Sequence, residues 1–389
     1  MCYNVTMRLT YKYRLFPTGA QRATLEQTLD LCRWVYNQTL AMRKEAWEQE
    51  QRNVSYYDTK RMLPIWKAEK PELQMVHSQV LQNVTERVDL TFKAFFRRVK
   101  AGEEPGYPRF RGRGRYDSFT YTQSGFALLD NGRLRMSKIG DVKIELHRPI
   151  SGTIKTLTVR RDSVGNWYAC FSCEVEARPL PPTDKVVGVD LGLSTFAAFS
   201  NGEKIERQRW MKRDQRDIAR LQRKKERFAK GTPERRNAVR ALQHAYRRAT
   251  NRRTNFAHQE SRKLVNEYQF IAFEDLDIQD MQVNGNKAIN RGIADVAWGQ
   301  FMRFTTYKAA SAGRGVALVD PKNTTQMCSG CGEIVPKDLT VRVHECPHCG
   351  LKMCRDVNAA LNILARGLAS ISTGCPQGAA VVAVEAQQL

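Results

Sequence analysis

The sequence predicts an α/β chain of several domains, on three observations. It runs to 389 residues, its apolar pattern changes from helical to strand-like near residue 101, and beyond a Pro-rich joint its apolar runs end on acidic residues. A chain this long exceeds what one hydrophobic core usually serves, so two to four domains are expected. The formal charge of +23, from 63 Lys and Arg against 40 Asp and Glu, favours a polyanionic partner, because each phosphate contact gains from counterion release. Nucleic acid is the first candidate. No run approaches the roughly 20 apolar residues of a membrane span, and "MCYNVTMRLTYKYRLF" lacks the basic and apolar regions of a signal peptide. No membrane partner is therefore expected, and an intracellular location is. In such a reducing compartment the ten cysteines read as thiols or metal ligands.

In chain order, "YKYRLFPTGAQ" reads as a basic strand ended by Pro17, with a helix starting near Gly19. Leu25, Leu29, Cys32, Tyr36 and Leu40 fall on one face of that helix. A second stripe joins Leu73, Val76, Val80, Val84, Val88, Phe92, Phe95 and Val99, so residues 20 to 100 suggest a small helical lobe. From "GEEPGYPRFRGRGRYDSFTY" onward, Gly, Pro and aromatics alternate with Arg. Short β-like runs follow ("GFALL", "RLRM", "VKIELH", "IKTLTVRR", "NWYACFSCEVE"), as in a small antiparallel sheet or barrel. "EARPLPPTDK" is a linker, and a new domain begins at Val186.

Residues 207 to 266 carry 20 Lys and Arg against five acids, with few helix breakers, and read as two long basic helices. A charge run is commonly a solvated face, but solvated faces mix signs, and helices of one sign more often lie along phosphates.

The strand-like run Val186–Val189 stops at Asp190, and the run Phe270–Phe273 stops at Glu274; Asp356 opens the amphipathic "RDVNAALNILARGL". Spacings of 84 and 82 residues exclude local ion pairs and leave tertiary convergence open. A Val-rich strand, a tight turn, a second strand, a long helical excursion and another buried strand ending on acid suit a ribonuclease H-like sheet. Carboxylates gathered at strand ends repel one another unless a cation neutralises them. Hard oxygen ligands suit Mg²⁺ or Mn²⁺, which can serve phosphodiester hydrolysis. Taken singly, each acid also fits a turn residue or a helix cap.

Cys328-x₂-Cys331 and Cys346-x₂-Cys349, each pair followed by glycine, predict a closed structural Zn²⁺ site of four thiolates. Cys170-x₂-Cys173 lies inside a strand-like run, where residues three apart point to opposite faces, so these two read as ordinary thiols. There is no P-loop, no GxGxxG after a strand, no HExxH and no nucleophile elbow.

Several of these motifs resemble, in order, the blocks of the TnpB family of insertion-sequence proteins, relatives of the type V CRISPR nucleases. They are "VVGVDLGLSTFAAFS", "IAFEDLDIQDM", "TTQMCSGCG…CPHCG" and "RDVNAALNI", with "RLFPTGAQ", "WVYNQTL" and "GYPRFRGR" nearer the N-terminus; the likeness covers about residues 11 to 366. It implies a RuvC (ribonuclease H-like) nuclease domain with a zinc-ribbon insertion, a helical recognition lobe and a β-barrel wedge domain. The expected layout is 1–18, first wedge strand; 19–100, helical lobe; 101–180, wedge barrel; 181–322, first RuvC part; 323–352, zinc ribbon; 353–370, final RuvC segment; and 371–389, a disordered tail. Asp190, Glu274 and Asp356 match the three catalytic, Mg²⁺-holding acids of the family. Cys354 departs from the polar or acidic residue common two places before the last Asp.

The resemblance further implies an RNA-guided DNA endonuclease of a transposable element. It would use a guide RNA from the transposon end and cut double-stranded target DNA beside a short adjacent motif, as a monomeric ribonucleoprotein in the prokaryotic cytoplasm. Arg220, Arg223, Lys224, Arg247 and Arg248 are candidates for gripping guide phosphates. Gln79, Gln82, Asn83, Ser118, Thr120 and Tyr121 are candidates for reading the motif, since Gln and Asn suit adenine edges; ordinary solvated polarity fits each as well. The alternatives are a guide-dependent DNA-binding regulator without cleavage, a type V CRISPR effector of the same descent, a strand-joining transposase, and a zinc-ribbon RNA-binding factor with a degenerate nuclease fold.

Overall fold

The computed structural model describes residues 6–208, 210–277, 281, 290, 297–338 and 340–372. They form two units, one spanning Arg8–Val175 and the other taking up the chain from Glu176. Of the expected tail, residues 373–389 lie outside the described residues.

In the first unit, strand β1 (Thr6–Phe16) leads into helix α1 (Gly19–Glu50). Thr18 caps that helix reciprocally with Gln21: its hydroxyl accepts from the Gln21 backbone N–H, and the Gln21 side chain accepts from the Thr18 N–H. The predicted stripe Leu25, Leu29, Cys32, Tyr36 and Leu40 is buried. The second stripe divides. Leu73 sits in a short 3₁₀ turn (Pro71–Met75), and only the part from Val80 onward belongs to helix α3 (Ser78–Lys100). Between α1 and this turn lies α2 (Tyr56–Glu69), a helix that the sequence pattern did not suggest and that carries Pro64 inside it.

Strands β2 (Ser118–Tyr121), β3 (Phe126–Leu129), β4 (Arg133–Met136), β5 (Gly140–Glu145), β6 (Thr153–Arg161) and β7 (Trp167–Glu176) join β1 in a seven-stranded sheet. Its order is β2-β6-β7-β1-β5-β4-β3, so the first strand of the chain is the middle strand of the sheet. The two edge strands are consecutive in sequence, and their rings meet, Tyr121 to Phe126 at 6.2 Å, as the sheet curls nearly closed. Tyr13, Leu15, Phe119, Leu134, Trp167 and Phe171 fill its interior.

The second unit is built on a five-stranded sheet of order β10-β9-β8-β11-β12. β8 (Val186–Leu191), β9 (Thr195–Phe199) and β10 (Lys204–Glu206) run as an antiparallel meander, while β11 (Phe270–Glu274) and β12 (Gly315–Val319) add in parallel. The parallel pairings need crossovers. The β10-to-β11 excursion carries the basic helices α4 (Trp210–Glu226) and α5 (Pro233–Glu267), and α6 (Trp298–Ala312) precedes β12. Both faces of the sheet are covered. Val187 and Val189 of β8 and Ile271 and Phe273 of β11 pack with Leu264 and Val265 of α5 and Phe301 and Phe304 of α6. On the other face Phe270, Ala272, Ala317 and Val319 pack with Ile363 of helix α7 (Arg355–Ser372).

Candidate active site

Strand alternation sets the direction of the two strand-borne acids. Val187 and Val189 face α5 and α6, so Gly188 and Asp190 face the α7 side. In β11, Ile271 and Phe273 face α5 and α6 while Ala272 faces α7, which places Glu274 on the α7 side too. The parallel register pairs Val189 with Phe273, and one step further brings Asp190 level with Glu274. Asp356 lies in the first turn of α7 itself.

Helix α7 sits unusually close to the sheet. A Cβ built on Gly188 would fall 2.0 Å from the Ala360 carbonyl oxygen, and one on Gly367 would fall 2.7 Å from the Ala272 side chain. Backbone therefore rests on β8 at Gly188, four residues along α7 from Asp356, and only glycine permits it.

The electrostatics agree with this convergence. Burial, then the neighbouring carboxylates of Glu274 and Asp356, push the Asp190 carboxyl up to about 8, against a smaller opposing pull from Arg355. Burial also raises Glu274, opposed by a hydrogen bond from the Thr324 hydroxyl and by the charge of Arg366. Thr324 Oγ1 donates to Glu274 Oε1. Arg355 lies beside Asp356, Nε to Oδ1 at 3.4 Å. Cys354 accepts from Lys204 Nζ at 3.0 Å, which, with backbone amides, holds its thiol below the usual range in spite of burial.

The four cysteines form the one cluster among the described residues whose candidate ligand atoms all lie within 4.8 Å of one another. Cys328 Sγ to Cys349 Sγ and Cys331 Sγ to Cys346 Sγ are each 3.6 Å. That is too long for a disulfide, and close to the roughly 3.8 Å edge of a tetrahedron with Zn–S bonds of about 2.3 Å. Each pair closes a knuckle by a backbone bond, Gly332 N to Cys328 O at 2.9 Å and Gly350 N to Cys346 O at 3.0 Å. Both glycines have positive φ, 81° and 74°. The donor set and its spacing fit a structural zinc ion. In contrast Cys170 and Cys173 lie in β7, where burial raises both thiols, Cys173 to about 11.

The expected phosphate contacts lie on α4 and α5, where Arg223, Lys224 and Arg248 are exposed. Arg220 pairs with Asp217 at 3.3 Å, and Arg247 approaches His244. Arg252 Nη2 donates to both Asp214 carboxylate oxygens, at 3.0 and 2.9 Å, and ties the two helices together.

Most of the expected motif readers hydrogen-bond within the protein. Thr120 and Tyr121 are buried. The Thr120 hydroxyl accepts from Arg87 at 2.7 Å, and that of Tyr121 donates to the Ser137 carbonyl at 2.9 Å. Arg87 also takes the Ser118 carbonyl at 2.9 Å and the Asn83 oxygen at 3.0 Å. Gln79 accepts from the backbone of Gln123 and Ser124. Gln82, half-exposed, keeps its side-chain amide free among the described residues.

Sequence reasoning missed Thr324 and the buried pair Asn358 and Asn362. Asn358 and Asn362 stand four residues apart beside the apolar Ala359, Ala360 and Ile363. Two amides embedded in an apolar helix face must find partners, and that was the available signal.

Comparisons with known proteins bear on the whole chain. Three family profiles match it: one described as "Probable transposase" over residues 170–284, "Cas12f1-like, TNB domain" over 298–363, and "Helix-turn-helix domain" over 7–52. The last region is strand β1 followed by the single long helix α1. A Streptomyces pristinaespiralis protein named "Putative RNA-guided DNA endonuclease" is 36% identical over 376 residues, spanning 95% of this chain and 91% of its own. The Escherichia coli K12 protein of the same name with the suffix InsQ is 30% identical over 381 residues, spanning 94% and 93%. Among solved structures, the Cas12f1–sgRNA–target DNA complex matches with a TM-score of 0.59 at 13% identity, covering 92% of this chain and 98% of that one. It shares the fold.

Proposed function

The chain belongs to the TnpB family, and from that premise we propose that it is an RNA-guided DNA endonuclease of a transposable element, cutting both strands with one carboxylate centre. The observation that carries the reading is the placement of Asp190, Glu274 and Asp356 on the α7 side of the sheet, where burial and the other two carboxylates push the Asp190 carboxyl up to about 8. Three carboxylates in one neighbourhood, partly offset by Arg355 beside Asp356 and by Arg366 near Glu274, offer a set of hard oxygen donors that fits Mg²⁺ or Mn²⁺. Asp190, Glu274 and Asp356 would hold the ion. Bound there, it would supply Lewis-acid stabilisation of charge on a phosphodiester and favour an activated water.

The protein's own contribution is geometric. β8 and β11 hold two carboxylates level, α7 brings the third across the close approach at Gly188, and Arg355 sets a positive charge beside Asp356. The exposed cations of α4 and α5 would follow the guide backbone. Base pairing would then read the target, leaving the protein a short adjacent motif. The helical lobe and curled sheet of residues 8–175 are assigned to guide and duplex recognition, with one copy of the chain per complex. Expressed with its native flanking DNA, the chain should co-purify with a defined RNA and linearise a plasmid bearing the matching target. Asp190→Ala should retain RNA and target binding while abolishing cutting. An unchanged cutting rate in that variant would reject the reading and favour a different chemistry.

A further inference from the structure

One face of α7 grips the segment that runs from β12 into the zinc ribbon. Arg366 donates to the carbonyls of Asp320 and Lys322 at 2.7 and 2.8 Å. One turn earlier, Asn362 donates to those of Thr324 and Met327 at 2.9 and 2.7 Å. One turn earlier again, Asn358 donates to Met327 O at 2.7 Å and accepts from the Ser329 N–H at 2.9 Å. Positions 358, 362 and 366 are successive rungs on one helix face. Ser329 lies inside the first knuckle, between Cys328 and Cys331. Thr324, 2% exposed, lies midway along the gripped segment and hydrogen-bonds Glu274. Its hydroxyl also approaches the Pro321 carbonyl at 3.0 Å.

We propose that Thr324 is a positioning residue for Glu274, and that through it and the Asn358–Asn362–Arg366 ladder the zinc ribbon and the carboxylate centre are coupled, each favouring metal at the other. The inference rests on the reading of the carboxylates as a divalent-cation site. A carboxylate on the last residue of a strand has several rotamers open to it. The Thr324 hydroxyl selects one and favours the charged form that a cation requires. The helix that holds Thr324 through Asn362 carries Asp356 in its first turn and, two residues further on, Asn358, which accepts from the knuckle amide of Ser329. A zinc ion that fixes the knuckle therefore fixes the rung that presents the hydroxyl. By linkage, a cation on the carboxylates stabilises the knuckle to the same extent.

The test uses the full chain loaded with guide RNA, with Mg²⁺ as the probe. Its two readouts are the Mg²⁺ concentration giving half the cation-dependent rise in melting temperature, and the rate at which a zinc-selective chelator strips the ribbon. Thr324→Val should keep its zinc and raise the Mg²⁺ midpoint about tenfold, the usual order for losing a hydrogen bond to a charged group. Thr324→Ser should return it to within about twofold, since it restores the donor. Asn362→Ala, which leaves the Glu274 contact untouched, should move the midpoint the same way. In the wild type, Mg²⁺ should slow zinc release several-fold. A wild-type midpoint in Thr324→Val overturns the proposal. Should that variant fail to fold, Mg²⁺-independent zinc release in the wild type overturns it equally. Asp190→Ala separates this from the underlying reading: it should show no Mg²⁺ response. If the wild type also shows none, the cation site itself is wrong; if only Asp190→Ala is silent, that site stands whatever Thr324→Val does.

Discussion

Replacing Asp190 by Asn should stabilise the cation-free protein, the reverse of what changing a buried side chain normally does. An aspartate in the unfolded chain titrates near 3.8, whereas in the fold this one is raised to about 8 by burial, Glu274 and Asp356. A raised acid binds its proton more tightly when folded. Its penalty is therefore absent below the unfolded value, grows as pH rises, and levels off above about 8. At pH 7 the penalty is about 4 kcal/mol, which for a unit of some 200 residues corresponds to roughly 10 °C in melting temperature. Asn has the same shape and no charge to desolvate. Melting curves of both proteins in buffer free of Mg²⁺ and Mn²⁺, from pH 5 to 9, should show a gap that opens with pH in favour of the variant. Adding Mg²⁺ at pH 8 should raise the wild type and leave the variant unmoved. A gap that is independent of pH, or a variant less stable throughout, would refute the reasoning, because the acid would then not be held against its neighbours.

Gly188→Ala drives a methyl group into the Ala360 carbonyl at 2.0 Å; it should cost about 3 kcal/mol and cut DNA cleavage steeply, read by melting and by single-turnover assay. Thr120→Val strands an Arg87 nitrogen that now bonds the Thr120 hydroxyl at 2.7 Å; it should destabilise the first unit by about 1–2 kcal/mol and leave the adjacent-motif preference unchanged in a randomised-target cleavage assay. Arg223, Lys224 and Arg248 changed together to Ala should weaken guide binding and lower the slope of log affinity against log salt by about 2, since each single-strand phosphate contact contributes about 0.7. Cys331→Ser should lose zinc by elemental analysis and make residues 324–351 sensitive to protease.

The positions of the acids could be read from the apolar pattern, since Glu274 ends β11 and Asp356 lies in the first turn of α7, although β8 runs one residue beyond Asp190 to the buried Leu191. The cysteines were legible because zinc knuckles dictate local spacing. The two basic helices followed from composition and scarce breakers, and the structure places α4 and α5 across those residues. Other features depend on contacts the chain makes only after folding. Helix α2 was hidden because its buried set is only Thr59, Leu63 and Trp66, with Pro64 among them. Ser118, Thr120 and Tyr121 were offered as candidate motif readers, and the sequence carried no sign that Phe119, Thr120 and Tyr121 are all buried or that Arg87 of α3 bonds the Thr120 hydroxyl. Thr324 carries no charge and no motif signature of its own; its importance arises only where the ribbon's first segment crosses Glu274.

The central claim is that Asp190, Glu274 and Asp356 share a divalent cation. Crystals of the guide-loaded protein grown with Mn²⁺, measured for anomalous scattering, test it most directly. The account predicts a peak within coordination distance of oxygens from all three side chains, lost in Asp190→Ala. A peak elsewhere, or one that survives that substitution, would contradict it.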